Sequence, residues 1–202
     1  MGKTVYFRAF EEEDAEFIYK WMNDDDLLEL SVGLNRKICK DEAVDWVKAR
    51  MLHNPYQVWW AICAIDSSKI IGYMSLTDIH YINSSANFSG IVIGDNDYRD
   101  GFAWIESYLF VYEYAFEKLN LNRVYGSYIS DHKVTNVMGN LMCGVYEGTL
   151  RQAIFKNGRY HDVITGSLLK EEYYQHKRSG DYEMKSMLKR LRELKKQTNI
   201  VK

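Results

Sequence analysis

Residues 91–105, IVIGDNDYRDGFAWI, constrain the fold more than any other stretch of the chain. Ile91, Val92 and Ile93 read as a short buried strand, and Gly94-Asp95-Asn96-Asp97 is turn chemistry. Tyr98-Arg99-Asp100-Gly101-Phe102-Ala103 then opens a helix whose apolar residues Phe102, Ile105, Leu109, Tyr112, Phe116 and Leu119 recur at spacings of three and four. Trp104, Tyr108 and Val111 are apolar too, so the helix is expected to be covered on two sides. The first amides of a helix lack partners inside it, and the dipole there favours negative charge. Gly101 and Ala103 would let a ligand approach that backbone, and such a corner can hold a phosphate or pyrophosphate. A single glycine at a helix start is more commonly ordinary capping, so the rest of the chain has to decide.

The preceding residues predict a strand over 4–10 and a first helix carrying Phe17, Ile18, Trp21 and Met22 on one face, with Glu11, Glu12, Glu13 and Asp14 at its positive end. Asn23 to Asp26 end that helix, residues 27–36 carry no clear pattern, and Asp41 is the expected N-cap of a second helix through Val44, Val47 and Met51. Strands are predicted at 59–65 and 70–76 as an antiparallel hairpin, then a loop over 78–85 and a fourth strand at 87–93. Beyond the long helix come a strand at 123–130, a helix to Met142 capped by Asp131, and strands at 149–155 and 160–168 around the Asn157-Gly158 hairpin turn. Residues from Glu171 onward are helical, with a break at Ser179-Gly180. The sum is an α+β, three-layer domain: a mixed, mostly antiparallel central sheet with helices on both faces. Its extent is expected to be 1–178, with 179–202 as a basic amphipathic helical tail.

A chain of 202 residues with 47% hydrophobic content can bury a full core. Its formal net charge of -2 gives no reason to expect bulk affinity for nucleic acid or membrane. Cys39, Cys63 and Cys143 lack C-x-x-C spacing and read as reduced thiols of a cytoplasmic protein. The opening residues lack the apolar core of a signal peptide, no run reaches transmembrane length, and Tyr6 stands where myristoylation needs Ser or Thr. His53, His80 and His176 lack metal-ligand spacing, so no metal is expected.

Four segments, in order, resemble the GCN5-related N-acetyltransferases (GNAT superfamily), in particular the branch typified by enzymes acetylating ribosomal-protein N-termini. They are FRAFEEEDAEFIYKWMND with its Trp-x-Asn-Asp ending, the hairpin strand KIIGYMSLTDI, the acetyl-CoA motif region IVIGDNDYRDGFAWIES, and the C-terminal hairpin GVYEGTLRQAIFKNGRYHDVITGSLLKEEY. Together they cover roughly residues 4–175. The last is also similar to enzymes that acetylate nucleotide-linked amino sugars. The resemblance implies an acyl-CoA N-acyltransferase fold and acetyl-CoA as co-substrate. It implies that the amides of Arg99, Asp100, Gly101, Phe102 and Ala103 hold the pyrophosphate, that Ile91, Val92 and Ile93 present a free strand edge to the pantetheine amides, and that Lys133 and Asn136 flank the CoA arm.

The chain departs from the family pattern where side chains would act. Tyr98 takes the motif's first place and Arg99 that of an early glycine, Asp100 adds negative charge, and Gly144-Val145 stands for Gly-Phe. A Glu common in the central strand aligns with Phe88, and a Tyr used as general acid aligns with Asn140. The expected chemistry is direct attack of a neutral amine on the thioester, with proton transfer shared among polar groups near the strand ends: Ser130 and His132 first, beside Ser89, Tyr128 and Asp131. Asp131 and His132 have the competing roles of helix cap and solvated first-turn residue, and His161 and Asp162 that of cross-strand hydrogen bonding. The expected acceptor is a small-molecule amine such as a nucleotide-linked amino sugar, with a peptide N-terminus as the alternative. A non-catalytic acyl-CoA-binding regulator is the reading from another class. The tail's Met184, Met187, Leu188, Leu191 and Leu194 predict a helix packed on the domain or on a second subunit of a homodimer.

Overall fold

The computed structural model describes residues 3–33, 36–131, 133–142 and 144–197. In chain order they form β1 (Val5–Arg8), α1 (Ala15–Trp21), α2 (Asp25–Leu30), α3 (Lys40–Met51), β2 (Val58–Ala64), β3 (Ile70–His80) and β4 (Ser85–Ile93). Then follow α4 (Phe102–Glu113), which runs on as a π-helical turn over Tyr114–Lys118, β5 (Arg123–Ile129) and α5 (Lys133–Leu141). The hairpin β6 (Val145–Lys156) and β7 (Arg159–Leu169) leads into α6 (Lys170–Ser179) and α7 (Met184–Gln197).

The seven strands make one sheet in the order β1-β2-β3-β4-β5-β7-β6. Only β4 and β5 run parallel; every other neighbouring pair is antiparallel. Strand β2 shows why two layers of helix are needed. Its residues alternate faces, so Trp60, Ile62 and Ala64 join a core with Ile105, Val111, Phe116, Leu141 and Met187 from the later helices. Ala61 and Cys63 join Ile18, Trp21, Ala43 and Val47 of α1 and α3 on the opposite face. The expected mixed, mostly antiparallel sheet with helices on both faces is the observed one.

Local differences from the sequence reading have identifiable causes. Helix α2 spans residues read as the end of the first helix and the start of the patternless stretch; it is begun by the Asp24 carboxylate, which accepts from the amides of Asp26 and Leu27 at 2.9 and 3.1 Å. Asn23 spans the gap, donating to the carbonyls of Tyr19 and Ile38 and accepting from the Ile38 amide. The Trp-x-Asn-Asp signature thus positions the arm between α1 and α3. Helix α3 starts after Cys39 rather than Asp41, because Glu42 takes the Cys39 amide at 2.9 Å. Strand β3 runs on to His80, so the predicted 78–85 loop is shorter than expected. Strand β6 starts at Val145, four residues before its prediction, as it pairs with β7 along Val145↔Ser167 and Tyr146↔Gly166.

Candidate functional site

Strands β4 and β5 are partners only at their beginnings. Their pairing runs from Ser85↔Arg123 to Asn87↔Tyr125, whereas β4 stays paired with β3 as far as Gly72↔Ile93. The cause lies in a register break between Phe88 and Gly90, which leaves Ser89 as an extra residue against β3. Gly90 has φ of 108°, a conformation that suits glycine and turns β4 away from β5. At the parting point a side chain on Gly126 would press on the Phe88 carbonyl at 3.2 Å, so glycine lets the strands meet closely just before they diverge. Beyond it a wedge opens, with Ile91, Val92 and Ile93 on one side. The Gly94 amide donates to Ile71 in β3 at 2.8 Å, and strand alternation then turns the polar groups of Ile93 away from β3 and toward the wedge.

Helices α4 and α5 bound the wedge on one sheet face. Its floor there is aromatic: Phe88 meets Tyr108 at 4.5 Å between ring centroids, and Tyr108 is flanked by Trp104 and Tyr112. Burial pushes the Tyr108 hydroxyl up to about 12. Tyr128 of β5 reaches toward α5, where a Cβ on Gly139 would lie 2.5 Å from its ring and 3.0 Å from its hydroxyl. Glycine at 139 is what leaves room for this ring. Burial, then the nearby Tyr146, raise the Tyr128 pKa.

At the wedge mouth the turn between β4 and α4 is built from its own polar groups. Asp95 accepts from the Asp97 amide and pairs with Lys69 at 2.6 Å; Lys69 holds the Asp95 carboxyl below its ordinary pKa. Arg99 folds back to donate to the carbonyls of Ile93 and Gly94 at 2.8 and 3.1 Å. Asp100 accepts from the Phe102 amide at 2.9 Å. The negative charge that the sequence places near the helix start therefore caps it. Gly101, with φ of 109°, precedes the helix, and a Cβ there would lie 2.7 Å from Leu191 Cδ2 of α7. A cavity of about 340 Å³ beside this contact is lined by Phe102, Met184, Lys185, Leu188 and Arg192. On the other side of the same turn a cavity of about 380 Å³ carries Asp66, Asp97 and Asp100 against Lys3.

The residues singled out in the sequence fall on four elements. Ile91 to Ile93 form the part of β4 that is paired with β3 but not with β5, residues 99–103 lead into and begin α4, Ser130 follows the last residue of β5, and Lys133 and Asn136 belong to the first turns of α5. Ser130 is tied down by its backbone, its amide donating to Asp162 and its carbonyl accepting from Asn136 Nδ2. His132 lies outside the described residues. The Asp131 carboxylate pairs with His161 at 3.0 Å and with Arg159 at 2.9 Å, and the His161 hydrogen bond leads in lowering its pKa. His161 and Asp162 do make cross-strand links, His161 Nε2 meeting the Lys156 carbonyl and Asp162 accepting from the Gln152 amide.

Lys156 escaped the sequence reading. The residue is 5% exposed, and its ammonium donates to the carbonyls of Leu28, Glu29 and Ser31 at 2.6–2.8 Å. A cation at a helix C-terminus meets the negative end of the dipole, so Lys156 fastens the end of α2 to the β6–β7 hairpin. Because Val163 of β7 already pairs with Ile129, the last residue of β5, the hairpin turn projects past the β5 terminus. The acidic helix α2 is thereby held at the end of the sheet toward which the wedge opens. Among the described residues no group of three or more His, Cys, Asp or Glu side chains could hold a metal ion, and no helix is long and apolar enough to cross a membrane.

The chain has relatives among known proteins and solved structures. A spermidine N(1)-acetyltransferase of Vibrio cholerae is 28% identical over 178 residues, covering 86% of this chain and 97% of its own length. YoaA of Bacillus subtilis, described as an uncharacterized N-acetyltransferase, is 25% identical over 168 residues, covering 82% and 93%. The crystal structure of spermidine N-acetyltransferase from Vibrio cholerae in complex with CoA and spermine superposes with a TM-score of 0.76 at 25% identity, over 85% of this chain and 98% of that one. Residues 4–138 match the acetyltransferase (GNAT) domain, so the chain belongs to that family and is an N-acetyltransferase with acetyl-CoA as its co-substrate.

Proposed function

We propose that this enzyme acetylates a primary amine of a small polycation, of the spermidine class, by direct attack of the neutral amine on the thioester. The observation that carries the reading is the placement of α2. Its first turn and the residue before it hold Asp24, Asp25 and Asp26, Glu29 follows, and Lys156 pins the helix next to the wedge. Asp24 is spent on capping and Asp25 is paired with Lys37, which leaves Asp26 and Glu29 facing solvent for a cationic substrate. The names of the Vibrio relatives point to the same amines.

When bound, acetyl-CoA supplies an activated acetyl carbonyl and a thiolate leaving group of modest proton affinity. The free edge of Ile91 to Ile93 suits a slender chain bearing amides, and the amides of residues 99–103 suit its phosphates. Lys133 and Asn136, in the first turns of α5, are assigned to flank the CoA arm. Ser130, His132 and ordered water are assigned the shared removal of the amine proton, and the Tyr128 hydroxyl, beside Gly139 of α5, the return of one toward the sulfur. Holding the two reactants in place supplies much of the rate, since effective molarities reach about 10⁵ M or more.

The amino-sugar reading rests on the C-terminal hairpin, and that hairpin is otherwise employed. Glu147 pairs with Arg123 and accepts from Ser167, Lys156 holds α2, and His161 holds Asp131. A thiol-release assay with spermidine, a simple monoamine, a UDP-linked amino sugar and a peptide N-terminus tests the choice. Turnover on spermidine is expected, with KM raised in Asp26→Asn and Glu29→Gln and kcat little changed. Turnover on the sugar or the peptide without turnover on spermidine would refute the polycation assignment.

A further inference from the structure

We propose that helix α7 is an intramolecular plug that competes with acetyl-CoA for the start of α4. The proposal rests on the reading above, in which that helix start receives the cofactor's phosphates. Leu191 is 3% exposed, and its Cδ2 methyl lies against the face of Gly101 from which a side chain is absent. The free space that a glycine offers at such a corner is, in this conformation, filled by the chain's own leucine. Met187 is fully buried one turn earlier, in the core shared by α4 and α5. Arg190 Nη1 donates to the Leu141 carbonyl at the end of α5, at 3.1 Å. Helix α7 thus packs on both helices that bound the wedge.

The other two elements of the phosphate and pantetheine surface are engaged in the same way. The Asp100 carboxylate occupies the Phe102 amide, where a phosphate oxygen would accept, and Arg99 occupies the Ile93 and Gly94 carbonyls at the free end of β4. Three internal groups stand in for three parts of a cofactor. Helix α7 lies beyond residue 138, where the family match ends, and the Vibrio relative is matched over 97% of its own length but over only 86% of this chain. Its outer face is basic, with Lys185, Lys189, Arg192 and Lys196, so release from the domain exposes few apolar side chains beyond the Met and Leu stripe. The apparent affinity for acetyl-CoA is then the intrinsic affinity reduced by the fraction of molecules with α7 displaced.

The opposite role, a fixed wall whose Lys185 and Arg192 hold phosphate, predicts effects of opposite sign. Calorimetry with acetyl-CoA on the full-length chain and on full-length Leu191→Asp separates the two. The plug predicts tighter binding by the variant, by about tenfold or more. It also predicts faster amide exchange over residues 184–197 of the unmodified protein when acetyl-CoA is saturating. Unchanged or weaker binding by a folded variant overturns the proposal, as does slower or unchanged exchange in α7. If Leu191→Asp does not fold, the exchange measurement on the unmodified protein decides by itself. Failure of both proteins to bind acetyl-CoA overturns the placement of the cofactor and the plug with it, whereas binding by the unmodified protein with the wrong sign in the variant overturns the plug alone.

Discussion

Lys156 shows how one side chain ties parts of the chain that are far apart in sequence. Its ammonium leaves water, which lowers its pKa, and three carbonyls at the end of α2 replace the lost hydration. Lys156→Met would keep the packing of the stem and remove every donor. The carbonyls would be left partly unsatisfied, at a cost of about 1–3 kcal/mol. We expect that loss in chemical denaturation, together with faster amide exchange confined to residues 25–31. A variant as stable as the parent, with α2 still protected, would show that the contact is incidental. None of this was legible in the sequence, where KNG reads only as a hairpin turn. A lysine beside a turn is ordinarily solvated, and its partners are backbone atoms of a segment that carried no pattern. Gly101 was legible as a corner of close approach, yet its neighbour Leu191 was not, because nothing in a linear sequence says which distant helix returns to it.

At the scale of elements, sequence reading worked where a periodic apolar pattern was long and failed where a tertiary contact did the deciding. The α4 stripe from Phe102 to Leu119 and the β2–β3 hairpin were readable because each side chain's face follows from its own spacing. Helix α2, six residues long, was not, because a capping aspartate and a distant lysine determine it. The wedge was expected only through family resemblance, and its physical origin is the extra residue Ser89 and the backbone of Gly90. A Cβ at Gly90 would meet nothing within 4 Å, so Gly90→Val strains only the backbone, at a cost of about 1–3 kcal/mol. Relief of that strain would straighten β4 toward β5. Acetyl-CoA affinity is therefore expected to fall at least in proportion to stability, measured by calorimetry beside a denaturation curve. A variant that loses stability and binds acetyl-CoA as tightly as before would show that the bulge does not set the wedge.

For the molecule as a whole, the question is what keeps the C-terminal hairpin on the sheet. Strand β6 is an edge strand, exposed along most of its length, with Tyr146, Leu150 and Phe155 each more than half exposed. The ladder from β7 to β5 carries the attachment, aided by a polar cluster near the start of β5. There Arg123 meets both carboxylate oxygens of Glu147 at 2.5 Å and Ser167 donates to the same group. The Arg123 hydrogen bond leads in lowering the Glu147 pKa from 4.5 to about 2. A carboxylate whose folded pKa is depressed contributes stability that is present above its unfolded pKa and lost as pH falls through the folded one. The Glu147 contribution is thus complete near neutrality, begins to fade near 4.5 and is gone below about 2. Both side chains are about one third exposed, so solvent screening limits the pair to about 1 kcal/mol or less. Glu147→Gln should be less stable than the parent by that amount at pH 7, and the two denaturation curves should converge as the pH is lowered from 5 toward 2. A difference that persisted unchanged at the acid end would mean that the glutamate acts through packing and not through its charge.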